Sequence, residues 1–140
     1  MVALASSGTV ISADIVASSG RARSGQHLLD QGMDRVFDDA LANSAFVREH
    51  LFRRPDGDST TLVAAAVVPK AWIAAELIRE LEVALRSFNE HLDAASRLRL
   101  RVAIAHGELQ LNPPHVNGTP VTLAARLREL EAVRDHARNT

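Results

Sequence analysis

The chain has 140 residues, which predicts one domain over 1–140 with room for a substantial core. Its formal net charge is −1 and aromatic residues make up 4%, so neither a basic nucleic-acid surface nor a base-stacking platform is expected. No run approaches about 20 uninterrupted apolar residues, so no membrane-spanning helix is predicted. The absence of cysteine excludes disulfides and thiolate metal sites and suits a reducing compartment, so we expect a cytoplasmic protein.

The first half of the chain predicts a strand, a helix and a hairpin. The β-branched stretch 8–16 is typical of a buried strand. Strands are also predicted over 46–54 and 59–68, joined by the turn sequence PDGD at 55–58. Between the first strand and the hairpin, residues 26–43 predict an amphipathic helix whose apolar face is formed by Leu29, Met33, Val36, Phe37 and Ala40.

The second half predicts two helices around a strand. Leucines recur every three or four residues over 70–92, which predicts the longest helix. Residues 98–109 alternate apolar and charged side chains at first and predict a strand, followed by a turn region at 112–118 and a helix over about 119–137. The charged side of that strand is predicted to be a solvated face or a dimer contact, carrying Arg99 and Arg101.

This order of elements favours a mixed α/β fold of the α+β class. We predict a ferredoxin-like sheet, a split βαββαβ arrangement with helices packed on one face plus a C-terminal helix. In that arrangement the first strand lies beside the hairpin, so its end and the hairpin tip are expected to converge.

Two acidic residues lie where that convergence is expected. Asp14 falls inside the first strand pattern, where an unpaired carboxylate is costly to bury, and Asp58 follows Gly57 at the hairpin tip. A hard cation such as Mg²⁺ takes one or two carboxylates and completes its shell with water and phosphate oxygens. The alternatives are ordinary turn chemistry for Asp58 and a hydrogen-bonded polar residue at a strand end for Asp14.

The stretch GTPVTLAARL, residues 118–127, predicts a helix start with an unusual pair of polar residues. Thr119 is a capping residue and Pro120 suits the first helical position. Thr122 and Arg126 are four residues apart and therefore share one helix face. The simpler interpretation is a helix start whose arginine extends into water.

Four segments in order resemble the sequence blocks of the class III nucleotidyl cyclase catalytic domain. They are SADIV, GDSTTLVA, LRLRVAIAHGEL and GTPVTLAARL, and the similarity spans residues 9 to about 130. The segment VPKAWIAAELIRELEVALRSFNEH also resembles the long helix of short stand-alone actinobacterial cyclase-like domains.

The resemblance implies a cytoplasmic signalling module that binds a nucleoside triphosphate and Mg²⁺ or Mn²⁺ as a head-to-tail homodimer, with no nucleic-acid or membrane partner. By resemblance, Asp14 and Asp58 match the metal aspartates, and Arg126 of the partner copy matches the arginine that stabilises charge on the α-phosphate. Gly57 belongs to the same Gly-Asp block. Arg54 and His115 occupy the positions from which adenylate cyclases read the base.

The departures from the family pattern concern turnover and base choice. Thr122 stands where the family has an asparagine, and a single hydroxyl cannot donate and accept at the same reach. Arg54 and His115 replace the usual lysine and aspartate, so the base is left open. We predict a cyclase-homology domain with impaired or lost turnover. The alternatives are an active metal-dependent cyclase (a phosphorus-oxygen lyase) of other base preference, and a non-catalytic dimerisation or partner-binding module.

Overall fold

The computed structural model describes residues 4–16, 23–42, 49–94, 96–112 and 115–127. Its strands are β1 (Leu4–Ile15), β2 (Leu51–Asp56), β3 (Ser59–Ala65), β4 (Leu100–Asn112) and β5 (His115–Asn117). Helix α1 is Arg23–Ala42. Helix α2 is continuous and consists of an α segment Lys70–Trp72, a π turn Ile73–Leu77 and an α segment Ile78–Asn89. A last helix, α3, covers 119–127.

The strands form one five-stranded sheet in the order β2-β3-β1-β4-β5, and every neighbouring pair is antiparallel. The first four strands have the order of a ferredoxin-like sheet, and β5 extends it beyond β4. The predicted fold class is therefore confirmed. Strand β1 lies at the centre, and Val10, Ile11, Ser12 and Ala13 are all buried because both of its faces are covered.

One face of the sheet packs against α1 and α2. On β1 this face carries Ile11, Ala13 and Ile15, and on β3 it carries Leu62 and Ala64. The predicted apolar stripe of α1 lies against them with all of its members buried: Leu29, Met33, Val36, Phe37 and Ala40. The helix periodicity therefore identified the buried face correctly.

The opposite face of the sheet carries a second core, which α3 partly covers. Its members come from four strands and from α3: Val10, Val63, Ala103, Ala105, Leu109, Val116 and Ala124. Pro120 at the start of α3 is fully buried and lies over Gly107 of β4, where an added Cβ would come within 2.9 Å of the proline ring. Asp14 is on this second face, because side chains alternate along β1 and Val10 points to it.

Arg53 fastens the β2–β3 hairpin to α1. Its guanidinium donates to the Thr60 hydroxyl across the hairpin at 2.9 Å and to the Asp34 carboxylate on α1 at 2.8 Å. The same group lies 5.7 Å from the centre of the Phe37 ring, within the range of a cation–π contact. The Arg53 side chain is 16% exposed, so the base of the hairpin is held by a largely buried cation.

Several predicted boundaries are wrong. Strand β2 covers Leu51–Asp56 rather than 46–54, of which 46–48 lie outside the described residues, and Pro55 falls inside the strand. An edge strand tolerates proline, and β2 is the edge of this sheet. The predicted turn at 112–118 contains strand β5, and α3 is described only as far as residue 127 of the predicted 119–137.

The predicted apolar side of β4 is only partly buried. Leu98, just before the strand, is buried in the helix-side core, but Val102 and Ile104 are 38% and 37% exposed. On the other face, Ala103 and Ala105 are buried. The helix-side core includes no residue of β4 beyond Leu100, so α1 and α2 leave the rest of that face of β4 partly exposed. The alternation therefore identified the strand, but it did not show which of its two faces is more deeply buried.

Gly118, which precedes α3, is expected to tolerate no side chain. Its φ is +141°, and an added Cβ would lie 2.6 Å from the backbone oxygen of Glu108. We expect Gly118→Ala to lower the free energy of unfolding by at least about 2 kcal/mol, because backbone strain and a steric clash coincide there. Urea denaturation measures the change.

Gly57 is the matched control for this prediction. Its φ is +63° and an added Cβ meets nothing within 4 Å, so Gly57→Ala carries the backbone cost without a clash. That cost is about 1 kcal/mol. Equal losses of stability in the two variants would contradict the assigned contact between Gly118 and β4.

Candidate functional site

The two predicted metal aspartates lie on chain segments that are direct neighbours. Asp14 is near the end of β1, where its Cα partner is Ser59, the first residue of β3. The backbone N–H of Ile15 donates to the backbone carbonyl of Asp58 at 2.9 Å. The end of β1 and the tip of the β2–β3 hairpin are therefore hydrogen-bonded to each other. This is the juxtaposition that the split βαββαβ topology predicts.

Asp14 and Asp58 differ in their surroundings. The Asp14 side chain is 17% exposed, whereas Asp58 is an exposed residue of the turn. Gly57 supplies the left-handed backbone of that turn and leaves open space beside Asp58. One carboxylate is thus held within the sheet and the other is accessible to solvent.

Arg101 forms an ion pair with Asp14 that the sequence analysis did not predict. Its Nε donates to one carboxylate oxygen at 3.1 Å and its terminal nitrogen donates to the other at 2.9 Å. The two residues are Cα partners on β1 and β4, and both side chains are mostly buried. The prediction that Arg101 is a solvated side chain is therefore wrong, and a dimer contact at this strand stays a prediction. The alternation placed it on a strand face, but only the register between strands 87 residues apart shows what it faces.

Arg54 lies on the same sheet face as Asp14. Phe52 packs in the second core, and Arg54 is two residues further along β2, so it shares that face. The register aligns Arg54 with Thr61, and Thr61 with Ser12. Arg54 therefore lies one side-chain row along the sheet from Asp14 and two strands across from it, with β3 between them. No ion pair or side-chain hydrogen bond of Arg54 is found within the described ranges.

His115 lies at a different place in the sheet. It is exposed on β5 and pairs with Asn112, at the opposite end of β4 from Arg101. Within one chain the structure therefore does not bring His115 to the end of the sheet that carries Asp14. Its position follows from the β4–β5 hairpin, which the sequence analysis took for a turn.

Thr122 and Arg126 lie on α3 and are both exposed. The helix begins with the backbone N–H groups of Val121 and Thr122 donating to the Gly118 carbonyl. Ala124, between the two polar residues, is fully buried in the second core, so α3 is held on the sheet by its small apolar face. Among the residues described, no hydrogen bond or ion pair joins Thr122 or Arg126 to either aspartate.

The donor set suits a hard cation that also binds phosphate oxygens. Such an ion takes one or two carboxylates from the protein, and Asp14 and Asp58 are two carboxylate residues on adjacent segments. Over the parts of the chain that the structure describes, no three His, Asp or Glu side chains are grouped closely enough to hold an ion alone. In the same parts, no helix is long and apolar enough to span a bilayer.

Comparison with solved structures identifies the fold. The crystal structure of the guanylyl cyclase Cya2 aligns with a TM-score of 0.71 at 17% identity, covering 93% of this chain and 73% of that one. The adenylate/guanylate cyclase/hydrolase from Silicibacter pomeroyi aligns with a TM-score of 0.65 at 22% identity, covering 90% of this chain and 70% of that one. The catalytic core of a rhodopsin-guanylyl cyclase with converted specificity, in complex with ATPαS, aligns with a TM-score of 0.63 at 19% identity. The alignment covers 91% of this chain and 74% of that one.

No protein-family model matches the sequence, and no curated protein matches it. At identities of 17–22%, the three structures bear on the fold rather than on the chemistry of individual residues. The chain therefore has the fold of the adenylyl and guanylyl cyclase catalytic domains, as the resemblance of its sequence blocks predicts.

Proposed function

We propose that the chain is a nucleotidyl cyclase-homology domain that binds a nucleoside triphosphate together with Mg²⁺ or Mn²⁺, with impaired or lost turnover. The observation that carries the proposal is the hydrogen bond from Ile15 to Asp58, which places the Gly-Asp hairpin tip beside the Asp14 segment. These are the two segments that match the metal-binding blocks of the cyclase family. The cyclase fold of the chain supports the same assignment.

In the proposed site, Asp14 and Asp58 would hold the divalent ion through carboxylate oxygens. When bound, the ion supplies positive charge that neutralises and polarises the triphosphate. Arg54, on the same sheet face as Asp14, would contact an acceptor on the base or the phosphates through its planar set of donors. The accessible Asp58 side would face incoming nucleotide, while the mostly buried Asp14 fixes the position of the ion.

A second copy of the chain would complete the site. Thr122 and Arg126 are exposed on α3 and form no hydrogen bond or ion pair with either aspartate in the described part of the chain. We therefore assign them to the site of a partner copy in a head-to-tail homodimer, with His115 of that copy directed at the base. Arg126 would stabilise charge on the α-phosphate, and Thr122 would orient the ribose poorly because its hydroxyl is short.

Isothermal titration calorimetry with ATP, GTP, CTP and UTP tests the proposal, each with and without Mn²⁺, followed by product analysis. We expect Mn²⁺-dependent binding of at least one triphosphate, because the two carboxylates repel a bare polyanion whereas a bound divalent ion attracts it. Little cyclic nucleotide is expected. The sedimentation coefficient at the same protein concentrations measures whether a dimer forms.

Other outcomes of this experiment select between the alternatives. Rapid formation of a cyclic nucleotide would identify an active cyclase and contradict impaired turnover. Failure of all four triphosphates to bind, with and without Mn²⁺, would remove the nucleotide hypothesis and leave a partner-binding module.

A further inference from the structure

The ion pair between Arg101 and Asp14 occupies the carboxylate that the proposed ion needs. The two hydrogen bonds, 3.1 and 2.9 Å long, engage both carboxylate oxygens in a paired, fork-like geometry. The side chains are 22% and 17% exposed, so solvent screens their attraction less than that of a surface pair. Asp14 therefore already has a strong partner of opposite charge.

The sheet gives Arg101 little freedom to leave that position without a cause. Asp14 and Arg101 are directly opposite on the neighbouring strands β1 and β4, and Arg101 is flanked along its face by buried Ala103. Directly opposed side chains of an antiparallel pair have Cβ atoms about 5 Å apart. The pairing is thus set by strand register rather than by a chance rotamer at the surface.

A guanidinium and a divalent cation compete for one carboxylate. The hydrogen bonds of Arg101 take up one lone pair on each oxygen of Asp14, and two cations at contact distance of one carboxylate repel each other. We therefore expect an ion to bind at Asp14 less tightly while Arg101 stays paired with it. Asp58 is exposed in the turn, and among the residues that the structure describes no ion pair engages its side chain.

We propose that Arg101 is a resident counter-ion of Asp14 that competes with a divalent cation for its carboxylate. The inference rests on the proposed function, because it takes Asp14 as a ligand of the ion. Arg101 acts as a positioning residue: it keeps the carboxylate paired in the empty protein and lowers the affinity for the free ion. Repulsion between Arg101 and the ion is expected to be weaker when a polyanion binds as well, because the anion offsets part of the positive charge. Ion and anion affinities are then coupled in both directions.

The test is a titration with Mn²⁺ alone. Binding is detected as a decrease in the electron paramagnetic resonance signal of the free ion. We compare the wild-type chain with Arg101→Gln and, as the matched control, Arg99→Gln. Arg99 is exposed two residues earlier, so its loss changes the net charge equally without touching the ion pair. Arg101→Gln is expected to bind Mn²⁺ at least about tenfold more tightly, the order of one charge-assisted hydrogen bond. Arg99→Gln is expected to stay within about threefold, as for a screened surface charge.

Arg101→Lys keeps the test decisive if Arg101→Gln does not fold. Lysine retains the cation but loses the paired geometry, so Arg101→Lys is expected to bind Mn²⁺ more tightly than the wild type. A second measurement is thermal unfolding, in which saturating Mn²⁺ is expected to raise the melting temperature more for Arg101→Gln than for the wild type.

The outcomes separate this inference from the proposed function. Arg101→Gln binding Mn²⁺ no more tightly than the wild type, with Asp14→Asn still abolishing binding, overturns the inference and leaves the metal site intact. Equal tightening by Arg99→Gln also overturns it, because a general charge effect would then explain the change. If no variant binds Mn²⁺, with or without a triphosphate, both proposals fail.

Discussion

Asp58→Asn is expected to weaken Mn²⁺-dependent triphosphate binding by at least about a hundredfold, since loss of even an outer-shell partner commonly costs 10–100-fold in metal affinity. The substitution removes one charged ligand and keeps the shape of the side chain. The Asp58 carbonyl that accepts from Ile15 belongs to the backbone and is retained. Because the side chain is exposed in the turn, we expect the melting temperature of the variant to match that of the wild type.

Asp56→Asn is the control for this prediction. Asp56 is an exposed acid of the same hairpin, two residues before Asp58, and its backbone carbonyl accepts a hydrogen bond from the Ser59 hydroxyl, so this bond does not involve its carboxylate. The variant therefore makes the same change of charge without removing a proposed ligand, and we expect calorimetry to show an affinity within about threefold of the wild type. Equal losses in Asp56→Asn and Asp58→Asn would show that the hairpin attracts the ion only through its overall charge.

Thr122→Asn is expected to raise the rate of cyclic nucleotide formation by about 10²–10³-fold, the usual worth of one oriented polar contact in such a site. Asparagine reaches further than threonine and can both donate and accept. Thr122 is exposed on α3, four residues before Arg126, so the longer side chain meets no packed neighbour. Threonine and asparagine have similar helix propensities, so the helix should be preserved.

Thr119→Asn is the matched control, because it makes the same chemical change at an exposed position of the same helix, three residues earlier. Product is quantified by chromatography with the triphosphate that binds most tightly, at saturating Mn²⁺. We expect Thr119→Asn to form product at the wild-type rate. A folded Thr122→Asn protein whose turnover does not exceed that of the wild type would mean that residue 122 does not limit the reaction.

The sequence predicts most of the fold because the patterns of its main elements are strong. The apolar stripe from Leu29 to Ala40 identified α1 and its buried face, and the alternation after Leu98 identified β4. The order of strands and helices then left few topologies with short connections, and the observed sheet is one of them. Local periodicity is therefore sufficient to predict the arrangement of elements here.

The errors lie where long-range pairing decides the structure. The stretch at 112–118 contains two prolines, two asparagines and a glycine, which is typical of a turn. It nevertheless contributes strand β5, because the end of β4 offers backbone partners to His115–Asn117. Pro55 belongs to a strand for the related reason that β2 is an edge of the sheet. Neither the pairing of β5 with β4 nor the edge position of β2 can be read from the local sequence.

In the candidate site too, local sequence motifs could be recognised, whereas contacts set by long-range strand pairing could not. Asp14 and Asp58 could be named from the sequence because they stand in recognisable blocks, and the topology predicts that their segments meet. Arg101 could not be assigned, because its partner Asp14 is fixed by a register between strands 87 residues apart. The roles of Arg54, Thr122, Arg126 and His115 stay predictions, which the variants above and the calorimetry test.

The clamp that Arg53 forms between the hairpin and α1 has a consequence for the thermodynamics of ligand capture. Thr60, which receives one of its hydrogen bonds, is fully buried and only two residues from Asp58. The acidic tip is therefore preorganised by a rigid base, and little chain entropy is lost when it closes on an ion. We expect the binding enthalpy to reflect dehydration and coordination rather than folding of the hairpin.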